Sequence, residues 1–451
     1  MASSRPLVCR IDVPGEETSF LARPLSPGQP AMRIDGVVPG ELVLARERVG
    51  GKGWAELIEL LEPSSARRDA PCIYAGRCGG CHWQHIEAAR QSELRLARLR
   101  WLLVQAGIPE PQEKSEHLPS PQELAYRYRA RFQIAARTRE QDRASANEDQ
   151  PAVKGDASIE VLFGFHGLGT RAVVDTAHCP LLAPELAQAH NHVRGVLAKL
   201  AIPGLNGLEL TALPGARGAL CVLNPRDRAP EDWPACGEHL LEACGDALVS
   251  VTAQPERGTD EPLILGERSL LGRTPDGHPI AVAARGFLQA NLAAADHLAD
   301  AVTQLAEAAP GVRILELFAG SALLGWRLAA TGATVHSIES DALAVEAGQR
   351  LPAPPRGHLH LEGGDALSLR TATLCETDVL VADPPRSGLG GLAETLATRG
   401  PERFVLVACS MSSLVRDLKV LCTGHYQLRR LLTADLFPQT RHLETVALLV
   451  R

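Results

Sequence analysis

Three cysteines fall within ten residues in Cys72-x5-Cys78-Gly79-Gly80-Cys81, and three soft sulfur ligands at that spacing can hold a metal or a metal–sulfur cluster. The two glycines let the backbone turn tightly around whatever is bound. A fourth thiolate is required. Cys179, followed by Pro180, is the best candidate, because a Cys-Pro pair occurs in iron–sulfur ligation and proline removes a competing backbone donor. Four thiolates also suit Zn2+, but structural zinc usually draws on paired C-x2–4-C knuckles, and only one such pair is present. The spacing therefore favours a cluster over zinc. Cys9, Cys221, Cys236, Cys244, Cys375 and Cys422 show no grouping and read as small hydrophobes.

A second set of residues stands at the ends of apolar runs. RILELFAGSALLG places a glycine-bearing turn after a strand, where helix-start amides can approach a nucleotide-like ligand. Glu339 closes the next run, HSIE, and an acid there can accept hydrogen bonds from ribose hydroxyls. Asp365, after HLHLEGG, and Asp383, in VLVADPPRSG, end later runs, so four strand termini are expected to converge on one crevice. The plain alternatives are solvated loop carboxylates and a Pro-Pro loop stop. Cys409 ends RFVLVAC just before a helix, where the dipole can stabilise a thiolate; a core thiol is the other reading. Glu444 precedes the apolar run TVALLV, and a partly buried carboxylate there can act as a base, whereas an isolated glutamate is by default a surface one.

The elements that must position these groups follow from length, composition and periodicity. At 451 residues, two or three domains are expected. With 45% hydrophobic and 22% charged residues the chain has globular composition, and no apolar run approaches the roughly 18 residues of a membrane span. The N-terminus has no stretch like the apolar core of an export signal, so a cytoplasmic protein without a disulfide framework is expected. The net charge of −7 excludes a polycationic tail binder but permits a local basic face. Short alternating strands around Gly50-Gly51-Lys52-Gly53 suggest a small β-barrel. An amphipathic helix follows between about residues 85 and 106. Strand-like runs occupy roughly 125–286, interrupted by an aperiodic, flexible insertion near 139–158. Within them Arg127, Arg129 and Arg131 alternate with Tyr126, Tyr128 and Phe132, which offers a cationic strand face for phosphates or simply a solvated one. Beyond residue 290 strands and helices alternate, the pattern of a doubly wound, mostly parallel α/β sheet.

Together these segments resemble the RNA uracil-5-methyltransferase family, in particular its type with a TRAM barrel and an iron–sulfur cluster that methylates 23S rRNA. The resemblance rests on VPGELV, CIYAGRCGGCHWQH with Cys179, FLQAN, ELFAG, DPPRSGL, the segment ending in Cys409 with SLVRDL, and DLFPQTRHLE, and it covers nearly the whole chain. It implies an OB-like TRAM barrel at 8–64 that binds RNA, a central α+β domain at 65–286 carrying the cluster, and a Rossmann-like methyltransferase domain at 287–451. It further implies that Cys72, Cys78, Cys81 and Cys179 hold a [4Fe-4S] cluster, and that Gln289, Phe318, Gly320, Glu339, Asp365 and Asp383 bind S-adenosyl-L-methionine. Cys409 matches the nucleophile that adds to uracil C6, and Glu444 the base. The expected reaction is methyl transfer to C5 of a uridine, most naturally in 23S rRNA, by a monomer with no obligate protein partner and no membrane. Three departures stand out: Ala319-Gly320-Ser321-Ala322 replaces C-G-x-G, EAGQRLPAPPRG replaces an asparagine-containing helix, and Ala-Cys-Ser-Met replaces Ser-Cys-Asn-Pro. A tRNA substrate, a non-catalytic RNA-binding or ribosome-assembly paralogue with a degenerate cofactor loop, and an iron–sulfur redox protein are the alternatives.

Overall fold

Alternating apolar and polar residues turn LVCRID and FLARP into β1 (Leu7–Asp12) and β2 (Phe20–Pro24), with every second side chain directed inward. The computed structural model describes residues 5–13, 19–48, 50–138, 159–199, 202, 204–224, 233–253, 263–368, 374 and 376–451. β3 (Met32–Ile34), β4 (Leu42–Glu47) and β5 (Ala55–Glu62) complete an antiparallel sheet of order β3-β2-β1-β4-β5. Its two ends meet: the Arg33 N–H donates to Gly53 O at 2.8 Å, and Arg33 bridges to Trp54. The sheet thus curls into a small barrel around Cys9, Ile11, Phe20, Ile34 and Val43, all buried. The helix α1 (Ala88–Gln105) buries Gln91, Leu94, Arg95, Leu99 and Leu103 along one stripe, and the three-residue β6 (Glu116–Leu118) follows.

The middle of the chain is a seven-stranded sheet. β7 (Arg129–Thr138), β8 (Ile159–His166) and β9 (Val173–Asp175) lead to α2 (Pro184–Leu197). β10 (Gly207–Thr211), β11 (Ala219–Leu223), α3 (Trp233–Cys244), β12 (Leu248–Ala253) and β13 (Leu263–Gly266) come next. The order is β13-β12-β11-β10-β7-β8-β9. Every residue of β10 and β11 is buried, as expected of central strands. β14 (Ser269–Arg273) and β15 (Pro279–Ala283) form a hairpin through Pro275-Asp276-Gly277. The expected insertion near 139–158 lies outside the described residues, as does Cys375.

Strand–helix alternation then sets in. Asn291 caps α4 (Leu292–Leu305), its side chain accepting the Ala294 N–H at 3.1 Å. β16 (Arg313–Leu317), α5 (Leu323–Ala330), β17 (Thr334–Glu339), α6 (Ala342–Gln349) and β18 (His358–Gly363) follow, with β16, β17 and β18 paired in parallel. The chain continues through β19 (Val379–Ala382), α7 (Leu392–Arg399), β20 (Arg403–Ala408), α8 (Met411–Thr423), β21 (Gln427–Ala434) and β22 (Glu444–Val450). β22 lies between β20 and β21 and runs antiparallel to both, while β6 adds to β21 in parallel. The expected α/β alternation with a small N-terminal barrel is therefore what forms, with an antiparallel finish that the alternation pattern does not announce. Two compact units result, one of residues 1–76, 81–123 and 381–451, the other of residues 77–80 and 124–380. No described helix is long and apolar enough to cross a membrane.

Candidate active site

In the first unit three residues singled out in the sequence interact electrostatically: Asp383, Cys409 and Glu444. Asp383 follows β19, Cys409 follows β20, and Glu444 opens β22. The β20–β22 register pairs Ala408 with Thr445, so the next rung of the antiparallel ladder sets Cys409 opposite Glu444, and the Thr445 hydroxyl fastens that rung by donating to Ala408 O at 2.9 Å. Glu444 is completely buried, and neither carboxyl oxygen has a hydrogen-bond partner among the described residues. Burial, then the charge of Asp383, raises its pKa well above the usual carboxylate range, against the opposing pull of Arg386. Burial likewise pushes the Asp383 carboxyl up to about 6. The half-buried Cys409 thiol is pushed up to about 11, mainly by burial and then by Glu444 and Asp383, with Arg386 acting in the opposite sense. A thiol, two carboxyls that hold protons unusually well and one guanidinium thus share a small volume, a set suited to nucleophilic attack followed by proton transfer.

The loop bearing Arg386 is fixed from α8. The buried Asp417 carboxylate accepts the Leu389 N–H at 2.8 Å, and Arg416 donates to Ser387 O. Gly388 is required between them, because its φ is +76° and a Cβ there would meet Asp417 Oδ2 at 2.3 Å. The segment before Glu444 is held just as firmly. Gln439 adopts φ +70°, a conformation uncommon outside glycine. Its carbonyl accepts the N–H groups of His82 and Trp83, each at 3.0 Å. Its N–H donates to Gln91 Oε1 at 2.9 Å, and its own Oε1 accepts from Gln91 Nε2 at 3.0 Å and Arg68 Nη2 at 3.1 Å. The fully buried Arg95 pairs with Asp435 and donates to Thr440 O at 2.7 Å. Arg386, Gln91, Arg95 and Gln439 were not singled out from the sequence. The available signals were an arginine inside DPPRSG and two polar residues on the apolar stripe of α1.

In the second unit the turn after β16 and the end of β17 meet. Glu339 Oε2 accepts the Gly320 N–H at 2.8 Å, while Oε1 accepts from the Asp341 N–H at 2.8 Å and Ser340 Oγ at 3.2 Å. Phe318, Gly320 and Ala322 all have positive φ, at 60°, 56° and 58°, so the chain coils back around the glutamate. Ala322 stands where the resembled family has its second glycine, and its methyl group is buried against Val345 and Leu361. Beneath this turn the buried Glu316 accepts from the Gly325 N–H at 3.1 Å and from the Ser337 hydroxyl. Asp365 is exposed and closes a local turn, accepting from the Leu367 N–H at 2.9 Å and Ser368 Oγ at 3.1 Å. Gln289 is half-buried, two residues before the Asn291 cap, in a segment whose Ala290 carbonyl accepts the Tyr128 N–H at 2.8 Å.

All four cysteines of the expected cluster are half-buried. The Gly80 N–H points at Cys78 Sγ from 3.4 Å, a donor that favours a thiolate or a sulfur bonded to metal. Gly79 admits no side chain, since a Cβ would lie 3.1 Å from the carbonyl oxygens of both His166 and Gly167. The backbone N–H of Cys72 is held by Gln84 Oε1 at 3.1 Å. The expected cationic strand face is largely neutralised: Arg129 and Arg131 both pair with Glu209, at 2.7 and 3.0 Å, because Glu209 lies directly across from Arg131 in the β7–β10 register.

No protein-family model matches the chain. An uncharacterized RNA methyltransferase of Streptomyces avermitilis is 32% identical over 435 residues, covering 91% of this chain and 91% of that protein. The 23S rRNA (uracil(1939)-C(5))-methyltransferase RlmD of Halomonas elongata is 31% identical over 437 residues, covering 92% of this chain and 84% of the relative. The tRNA (uracil-54, C5)-methyltransferase of Pyrococcus abyssi, solved with S-adenosyl-L-homocysteine, shares the fold, with a TM-score of 0.65 over 99% of this chain and 100% of that one at 19% identity.

Proposed function

The chain belongs to the RNA (uracil-C5)-methyltransferase family, and from that membership we propose that it transfers a methyl group from S-adenosylmethionine to C5 of a uridine in 23S rRNA. The observation that carries this reading is Glu444, a buried carboxyl with both oxygens unpartnered, set across one rung from the Cys409 thiol. Uracil C5 is a weak nucleophile. Addition of the Cys409 sulfur to C6 makes an enolate whose C5 is reactive, and after methylation the C5 proton must leave before the sulfur can be eliminated. Glu444, once ionised, is the acceptor for that proton, and the burial that raises its pKa makes its carboxylate the stronger base.

The high pKa of Cys409 means its proton has to be passed on before attack. Asp383, with a carboxyl near 6, is the neighbour mostly ionised at neutral pH and able to take it. Arg386 favours the negative charge that then moves to the sulfur. S-adenosylmethionine supplies a methyl group on a positively charged sulfur. Gln289, Phe318, Gly320, Glu339, Asp365 and Asp383 would hold it, and the Glu339 carboxylate suits the task, since three donors orient it while part of its surface stays open. Cys72, Cys78, Cys81 and Cys179 would hold a [4Fe-4S] cluster, which their half-burial and the Gly80 donor support. In this reading the barrel at 8–64 binds RNA, 65–286 carries the cluster and 287–451 performs the transfer.

The test is incubation of the purified chain with methyl-labelled S-adenosylmethionine and transcripts of 23S rRNA or tRNA, followed by nucleoside analysis. Labelled 5-methyluridine in the ribosomal transcript is expected. Label confined to tRNA would move the substrate, and label in neither, with both transcripts folded and cofactor bound, would remove the activity.

A further inference from the structure

β18 is the terminal strand of its sheet, and its sequence HLHLEG alternates leucines with His358, His360 and Glu362, which are exposed. In the parallel register His336 of β17 lies directly beside His360, so His336, His360 and Glu362 share one face. Their ligand atoms all lie within 4.8 Å of one another. His336 Nε2 is 2.9 Å from Glu362 Oε1, and His360 Nε2 is 3.4 Å from Glu362 Oε2. Zinc bonds of about 2.0–2.1 Å to nitrogen and oxygen in a tetrahedron require ligand atoms roughly 3.3 Å apart, and each imidazole nitrogen lies near that distance from one oxygen of the Glu362 carboxylate. His336 Nε2 is also shut off from water yet makes no aligned hydrogen bond. The Glu362 carboxylate therefore faces both imidazoles at distances that one bound cation could bridge.

We propose that His336, His360 and Glu362 form a site for a divalent transition-metal cation of the zinc class, distinct from the cysteine set, with water completing the tetrahedron. Two imidazoles and one carboxylate are a donor set that zinc accepts readily. Ligands from two strands would join terminal β18 to β17 by bonds other than the backbone ladder, on an edge that is otherwise vulnerable. Nothing in the methyl-transfer reading requires this ion, and the site stands or falls independently of it.

The experiment compares full-length wild type with His360→Ala, Glu362→Gln and His358→Ala. Each is equilibrated with zinc chloride, passed over a desalting column containing a weak chelator, and analysed for zinc per chain by mass spectrometry. Thiolates also take up zinc, so the readout is the difference between variants that all keep the cysteines. Wild type and His358→Ala should each retain one zinc more per chain than His360→Ala and Glu362→Gln. Equal zinc in wild type and both ligand variants overturns the proposal. Circular dichroism identifies a variant that has not folded, and the remaining ligand variant then decides the outcome.

Discussion

A carboxyl buried with neither oxygen hydrogen-bonded among the described residues holds its proton more tightly than usual, and Glu444 is in that state. Because its pKa is higher in the folded chain than in the unfolded one, the folded state binds the proton more tightly. Its contribution to stability is therefore complete below the unfolded value of about 4.3 and declines as pH rises toward the folded value. Glu444→Gln cannot ionise, so its melting temperature should fall less between pH 5 and pH 8 than that of wild type; parallel slopes would contradict the assignment. Arg386 favours the charged forms of both Cys409 and Glu444. Arg386→Ala should push the thiol pKa up further, slowing site-specific alkylation of Cys409 at fixed pH by about tenfold per pKa unit. An unchanged alkylation rate, read by peptide mass spectrometry, would exclude that role. The places of Cys409 and Glu444 in the fold were legible because each terminates or opens an apolar run, whereas their roles came from the resemblance alone. Arg386 was not, because an arginine beside two prolines looks the same as a solvated loop charge.

At the scale of elements, the turn after β16 explains how an alanine survives where the resembled family has glycine. A left-handed conformation costs an L-residue about 1–2 kcal/mol, and glycine avoids that cost but loses roughly 0.5–1 kcal/mol to backbone entropy. The buried methyl group of Ala322 returns about 0.8 kcal/mol more. These effects nearly cancel, so Ala322→Gly should alter unfolding free energy by less than about 1 kcal/mol, measured by urea denaturation, and a loss of several kcal/mol would mean the turn is built differently. The segment before Glu444 has no such cancellation. Gln439→Ala removes an acceptor shared by Gln91 and Arg68, which keep their other partners, and should cost on the order of 0.5–1.5 kcal/mol, along with methyl-transfer rate at unchanged cofactor affinity. Stability and rate both at wild-type levels would show the network to be idle. The strand–helix alternation was readable from apolar periodicity. β6 escaped because three residues carry no period, and the antiparallel placement of β22 between β20 and β21 depends on long-range pairing that local pattern does not encode.

For the molecule as a whole, a net charge of −7 means that affinity for RNA has to come from local patches, and most arginines of the obvious candidates already have acidic partners. In the barrel Arg10 pairs with Glu62, Arg23 with Asp12 and Arg46 with Glu56, and on β7 two arginines share Glu209. A different feature remains in the barrel: the guanidiniums of Arg33 and Arg48 lie 5.8 and 5.5 Å from the ring centroid of the half-exposed Trp54. An aromatic ring flanked by cations can stack on an unpaired base and contact the adjoining phosphates. The two contributions separate in salt. Losing a phosphate contact lowers the slope of log affinity against log salt by about 0.7–0.9, whereas losing a stacked base weakens binding by about 1–3 kcal/mol without changing the slope. Arg48→Ala should therefore flatten the salt dependence of binding to a 23S rRNA fragment between 50 and 200 mM, roughly the range over which such contacts are felt. Trp54→Ala should shift the whole line to weaker binding at constant slope, and wild-type lines from both variants would take RNA recognition away from this face of the barrel.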